Sequence, residues 1–158
     1  MATVTEATAD FLAQRRIAVA GVSRKAAGHG GNYVYTTLRK RGYEVFAVNP
    51  NADTVEGDPC YRDLASIPGG VDGVVIATNP AATGSVVDEC VRLGIHRVWM
   101  HRSFGGGSVD EAAVKTGRAA GITVIAGACP LMFGDKADVG HKCMRWVLGF
   151  TSSKPTAG

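Results

Sequence analysis

The sequence is short of several things, and each shortage removes a class of function. Aromatic residues make up only 7% of the 158 residues, and no block of basic charge accompanies them. Cations are scattered, from Arg15, Arg16, Arg24 and Lys25 through Arg39, Lys40 and Arg41 to Lys136, Lys142 and Arg145. A nucleic-acid surface needs a dense basic stripe with aromatics between the charges, so nucleic acid is not an expected partner. A formal charge of +3 suits a small anionic ligand better. No apolar run approaches the ~20 residues of a membrane span, so no membrane partner is expected either. The opening stretch MATVTEATADFLAQRR carries acids and lacks an apolar segment before a small-residue cleavage site, so no secretory signal is read and the expected compartment is the cytoplasm. Cysteine is sparse: Cys60, Cys90, Cys129 and Cys143 form no C-x-x-C pair, and reduced thiols are expected. Cys129, His141 and Cys143 match no usual zinc spacing, so no metal is assigned.

What is present is a regular punctuation. Residues 17–22 (IAVAGV) read as a buried strand. Asn32 caps a helix that ends in Arg39-Lys40-Arg41 before Gly42. Residues 44–49 (EVFAVN) form a second strand, and the following segment 50–70 reads as irregular. Residues 73–78 (GVVIAT) form a third strand, followed by Asn79 as N-cap, Pro80 as first helical residue and Gly94 as helix end. Residues 97–101 (RVWMH) make a fourth strand. The sequence Ser108-Val109-Asp110-Glu111 reads as a capping box whose helix stops at Gly121, and residues 123–128 (TVIAGA) make a fifth strand. Further helices are expected over residues 5–14 and 138–148. The last of these carries Asp138, His141, Lys142 and Arg145 as a solvated face. Alternating strands and helices of these lengths imply right-handed β-α-β units. The expected fold is α/β: a doubly wound, mainly parallel five-stranded sheet with helices on both faces, one domain over 1–150, and a disordered tail over 151–158.

In such a sheet, ligands bind at the carboxyl ends of the strands, near the reversal of strand order. The loop after the first strand, AVAGVSRKAAGHGGN, fits neither common phosphate motif. The dinucleotide pattern G-x-G-x-x-G needs glycine where Ser23 stands, and an acid where Asn49 and Pro50 stand. A phosphate loop of the Walker type needs Gly-Lys-[Ser/Thr], which the chain lacks. The loop still suits an anion. Gly21 allows close approach, Ser23 offers a hydroxyl, and Arg24 and Lys25 offer charge. Gly28, Gly30 and Gly31 keep the path open to a helix N-terminus.

The order Gly-Val-Ser-Arg, then GYEVFAVNPN, then VDGVVIATNP, then GIHRVWMH and AAGITVIAGACPLMF, resembles the CoA-binding domain family, whose fold is that of the nucleotide-binding domain of the succinyl-CoA synthetase α subunit. The resemblance covers about residues 10–148 and implies a Rossmann-like domain binding coenzyme A or an acyl-CoA. It places Gly21, Val22, Ser23 and Arg24, with Lys25, at the phosphate and adenosine region. Val48, Asn49 and Pro50 fall at the nucleotide contact of the second strand, and Thr78, Asn79 and Pro80 at the turn beside the diphosphate or pantetheine. Asn49 in place of an acid also accommodates a ribose bearing a 3′-phosphate, which a carboxylate would repel. His101 stands where the family usually has glutamine, followed here by Arg102-Ser103-Phe104-Gly105-Gly106-Gly107. It either replaces the amide as a hydrogen-bonding group or titrates near neutral pH.

No catalytic residue is assigned. Ser23 lacks the strained setting of a hydrolase nucleophile, and Cys129 precedes the apolar run Pro130-Leu131-Met132-Phe133, which implies an inert, buried thiol. The expected function is binding of CoA or acyl-CoA without catalysis. Two other readings stay open at this level: an NADP-binding oxidoreductase or redox sensor, and an accessory CoA-binding subunit of an acyl-CoA synthetase-like complex. The partner is a small nucleotide ligand, with a homo-oligomer or a partner enzyme subunit open.

Overall fold

A computed structural model describes residues 2–25, 29–102, 107–137, 139–140, 142–143 and 156–158. Helix α1 (Val4–Leu12) begins at a capping box the sequence reading passes over. The Thr3 hydroxyl accepts from the Glu6 N–H at 3.2 Å, and the Glu6 carboxylate accepts from the Thr3 N–H at 2.8 Å. The remaining elements are β1 (Arg16–Ala20), α2 (Gly30–Lys40), β2 (Glu44–Val48), β3 (Thr54–Val55), β4 (Asp58–Tyr61), β5 (Gly73–Ile76), α3 (Pro80–Leu93), β6 (Arg97–Met100), α4 (Glu111–Ala119) and β7 (Thr123–Ala126). A 3-10 turn, Pro130–Met132, follows β7.

The seven strands lie in the order β3-β4-β2-β1-β5-β6-β7. All neighbours pair in parallel except β3 with β4. Side-chain alternation sorts the sheet into two cores. Ile17, Val19, Val75, Trp99 and Ile125 point to one face, where Phe11 of α1 and Val34, Tyr35 and Leu38 of α2 cover them. Ala18, Ala20, Val74, Ile76, Val98, Met100 and Val124 point to the other, under Val87 and Cys90 of α3 and Val114 of α4. Trp99 is fully buried, its indole N–H donates to the Gly127 carbonyl at 3.0 Å, and Phe11 meets it edge-on at 5.4 Å. The expected Rossmann-like class is therefore the observed one.

Three local expectations change. The irregular segment contains the hairpin β3–β4, which brings the strand count to seven rather than five. Its turn is Glu56-Gly57, with φ of 50° and 81°, the left-handed pair a two-residue hairpin requires. Such short strands, one holding Pro59, carry almost no periodic signal. Tertiary contacts hold the hairpin instead: the Tyr35 hydroxyl donates to Asp58 at 2.6 Å, the Arg39 guanidinium pairs with the same carboxylate, and Arg39 also reaches the Glu56 carbonyl at 3.3 Å. Second, Asp110 rather than Ser108 caps α4, accepting from the Ala113 N–H at 2.7 Å. Ser108 is buried instead, and donates to the Thr78 carbonyl at 2.5 Å. Third, Asn32 does not cap α2; His29 holds that position and makes no side-chain cap bond.

Residues 156–158 of the tail lie antiparallel along the outer edge of β7. Thr156 exchanges hydrogen bonds with Ala126 at 3.0 and 2.8 Å, and the Val124 N–H donates to the Gly158 carbonyl at 3.0 Å. The otherwise unpaired amides of an edge strand supply the reason. The helix expected over 138–148 lies largely outside the described residues. No helix among the described residues is long and apolar enough to cross a membrane.

The hairpin clamp has a pH signature. The Tyr35 hydroxyl, aided by Arg39, holds the Asp58 carboxyl below its ordinary value of 3.8, so its stabilisation is complete above that pH and is lost as pH falls further. Urea unfolding of Asp58→Asn is expected to show a smaller loss of stability between neutral and strongly acid pH than the parent chain shows.

Candidate functional site

From β1 the chain moves to β2 on one side, then crosses back to β5 on the other, so strand order reverses between β1 and β5. Outside this point lies a crevice of about 590 Å³, bounded by the ends of β1, β2, β4 and β5 and by one face of α3. A slightly larger cavity, about 630 Å³, lies at the opposite ends of the strands, between Leu12, Tyr43, Phe133 and Lys136. The loops that carry function in a parallel sheet converge on the first of these, so we take it as the candidate site.

Its floor is set by three backbones in contact. Gly21 follows β1 with φ of +94°, and a Cβ there would stand 2.6 Å from the Ala77 carbonyl oxygen and 2.8 Å from the Thr78 nitrogen. A Cβ on Gly31, in the first turn of α2, would meet the Gly21 carbonyl oxygen at 2.7 Å. The Gly21 N–H donates to the Val48 carbonyl at 3.0 Å, tying the same point to β2. Only glycine satisfies both the left-handed conformation and the contact.

Two buried or half-buried amides then shape the loop above this floor. Asn32, 3% exposed, accepts from the Ser23 N–H at 2.8 Å and returns a bond from Nδ2 to the Ser23 carbonyl at 2.8 Å. Its second Nδ2 hydrogen goes to Glu56 at 2.8 Å, so every polar atom of the amide is used. Asn49 Nδ2 donates to the Val22 carbonyl at 2.8 Å, while its Oδ1 accepts from the Asn51 N–H at 2.8 Å. Both asparagines position backbone. The Ser23 hydroxyl accepts from the Lys25 N–H at 3.1 Å, folding the loop back on itself.

Of the residues singled out in the sequence, Gly21, Ser23, Val48, Asn49, Pro50, Thr78 and Asn79 line the crevice together. Val22 does not: its side chain is fully buried in the core, so it reaches the site only through its backbone. Arg24, Lys25 and Pro80 are exposed and stand outside the lining. Gly28, Gly105 and Gly106 lie outside the described residues. Thr78 is steadied from below, because the buried Thr83 hydroxyl lies 3.3 Å from its own and donates to the Ser108 carbonyl at 2.7 Å. Asn79 caps α3, with Oδ1 accepting from the Ala82 N–H at 3.1 Å.

His101 does not line the crevice. A Cβ on Gly30 would lie 3.2 Å from its imidazole, so the ring packs over the first turn of α2. Burial pushes its pKa down to about 4, so the ring does not titrate near neutral pH. Cys129 is buried, as its apolar surroundings imply. Among the described residues no disulfide forms and no cluster of metal-ligating side chains is assembled.

The crevice also contains residues that the strand-end reading misses: Arg62 and Asp63 after β4, and Ser85, Glu89 and Arg92 on α3. Arg62 escapes because the short strand β4, with Pro59 in it, carries no strand pattern in the sequence. The α3 group has a visible signal, since spacings of four and three put Ser85, Glu89 and Arg92 on one helical face.

A family model described as a CoA binding domain matches residues 15–135. The chain belongs to the CoA-binding domain family. An ADP-forming acetate–CoA ligase (II) of Archaeoglobus fulgidus is 34% identical over 88 residues, which are 54% of this chain and 13% of that ligase. This CoA-binding-domain chain thus corresponds to a small part of that relative's length. Among solved structures, a hypothetical protein from Pyrococcus horikoshii OT3 has a TM-score of 0.71 at 27% identity, covering 78% of this chain and 84% of that one. The apo form of a dinucleotide-forming acetyl-coenzyme A synthetase from Ca. Korarchaeum cryptofilum has a TM-score of 0.59 at 26% identity, over 70% of this chain and 25% of that one.

Two measurements check this geometry. Gly21→Ala is expected to lower unfolding free energy by roughly 2 kcal/mol or more, combining left-handed strain with overpacking against β5. In an NMR titration, the His101 ring signals should stay flat from neutral pH down to its ordinary value of 6.5 and move only as pH approaches about 4.

Proposed function

We propose that this domain binds coenzyme A or an acyl-CoA in the crevice at the ends of β1, β2 and β5, in the cytoplasm and without catalysing a reaction of its own. The observation that carries the reading is that Gly21, Ser23, Asn49, Pro50, Thr78 and Asn79 line one crevice at the switch point of a CoA-binding-domain chain. The volume of about 590 Å³ lies within the ~300–1,000 Å³ typical of small-molecule sites. The N-terminus of α2 follows the loop and directs the positive end of a helix dipole toward an anion, with Arg24 and Lys25 nearby in sequence. Val48 and Pro50 supply apolar edge for the nucleoside, and Thr78 and Asn79 flank the path of the pantetheine.

Three facts support binding without turnover. The Ser23 hydroxyl is engaged by a backbone amide, Cys129 is buried, and His101 packs against α2 rather than lining the crevice. A second reading is favoured by the short share of the ligases that this chain matches, 13% and 25%. In that reading the domain supplies its CoA site to a larger synthetase-like partner. Co-purification of such a subunit would distinguish it from a free-standing CoA binder.

Isothermal titration with CoA, NAD and NADP tests the ligand. One CoA per chain with weaker or no binding of NAD and NADP is expected, because Asn49 offers no carboxylate to ribose hydroxyls. Binding of NADP but not CoA would reject the proposal in favour of a redox role.

A further inference from the structure

Arg62 and Arg92 approach the outer rim of the crevice from different elements, one after β4 and one on α3. β4 pairs with β2 so that Tyr61 lies opposite Val48, and the Asn49 N–H donates to the Tyr61 carbonyl at 2.9 Å. Arg62 therefore stands one strand spacing, about 4.8 Å of backbone, from the end of β2. In a nucleotide bound at such a switch point, that end is where the adenosine ribose lies. Arg92 faces the same space from the helix and adds to the field on the Asp63 carboxyl, beside Arg62.

Both guanidiniums are only loosely held. Arg62 is 3.6 Å from Asp53 and Arg92 is 3.8 Å from Glu89, with the arginine side chains 73% and 69% exposed. The acids of the rim have other work. Asp63 accepts from the Ser66 N–H and hydroxyl at 2.8 and 2.5 Å, and Glu89 accepts from the Ala65 N–H at 3.2 Å. Exposed ion pairs of this length are weak, whereas a phosphate presents several oxygens to a guanidinium fork.

We propose that Arg62 and Arg92 clamp a phosphate on the ribose 3′ position of the bound nucleotide, a second anion site separate from the loop at residues 21–25. The proposal rests on the CoA reading of the crevice and specifies how that crevice tells CoA from nucleotides without a ribose phosphate. The clamp lies on the β2 and β4 side, and the diphosphate region lies at β1 and α2. The hairpin that carries β4 thus has a use beyond covering the sheet edge.

Calorimetric titration of the full chain with CoA, dephospho-CoA, adenosine 3′,5′-bisphosphate and AMP tests the clamp. CoA should bind about tenfold or more tightly than dephospho-CoA, with the same order for the bisphosphate over AMP and a smaller ratio at high salt. In R62A/R92A the ratio should fall to near one, with an unchanged far-UV circular dichroism spectrum and urea midpoint reporting an intact fold. Equal affinities in the parent chain, or a ratio that survives in the double variant, would overturn the clamp alone. Failure of both CoA and dephospho-CoA to bind would overturn the CoA reading with it.

Discussion

The contact of Gly21 with the backbone of Ala77 and Thr78 is the constraint on which the site depends. Three chain segments that leave the sheet at its switch point cannot diverge until they have passed one another at this spot. The Gly21 carbonyl lies under Gly31, so the start of α2 is set by the same contact, and the hydrogen bond from Gly21 to Val48 adds the end of β2. A side chain at Gly21 would spread β1 from β5, and one at Gly31 would lift the helix. The crevice is the space left once these backbones are packed as closely as peptide groups allow.

Around that contact the chain uses side-chain amides where other folds use backbone. Asn32 pairs with both polar groups of Ser23 as a neighbouring strand would, and Asn49 holds the carbonyl of Val22. Leaving such groups unpaired when buried would cost about 1–3 kcal/mol each, so the loop conformation is strongly specified at its start. The third bond of Asn32, to Glu56, reaches the hairpin turn. Glu56 accepts the strain of a positive φ, and the Asn32 and Arg39 contacts offset it. The loop start at Ser23, helix α2 and the β3–β4 hairpin are therefore joined by hydrogen bonds through Asn32.

Legibility in the sequence followed signal length. Strands β1, β2, β5, β6 and β7 announced themselves as short apolar runs, three of them after the helix-ending glycines Gly42, Gly94 and Gly121, because a parallel strand buried on both faces has few polar positions to interrupt it. Asn79 and Pro80 marked the start of α3 and Gly94 its end, since caps are local chemistry. The β3–β4 hairpin was illegible because it is stabilised by Tyr35 and Arg39, which are distant in sequence. Ser108 misled for a related reason. A serine three residues before a glutamate is a good capping pattern, but here its hydroxyl serves the Thr78 carbonyl across the sheet. Val22 read as a site residue by its position in the loop, yet its side chain completes the core.

By itself, the sequence determined the β-α rhythm, the parallel sheet, the strand ends as the place of the candidate site and the absence of a dinucleotide fingerprint. These follow from local periodicity, caps and glycine placement. Tertiary structure alone decided which of the strand-end residues face one another. It turned Asn32 and Asn49 into supports, packed His101 against α2's first turn and lowered its pKa by burial, and brought Arg62 and Arg92 to the rim. The physical reason is that orientation at a site depends on close packing and on pairing between distant polar groups, neither of which leaves a periodic trace in the chain.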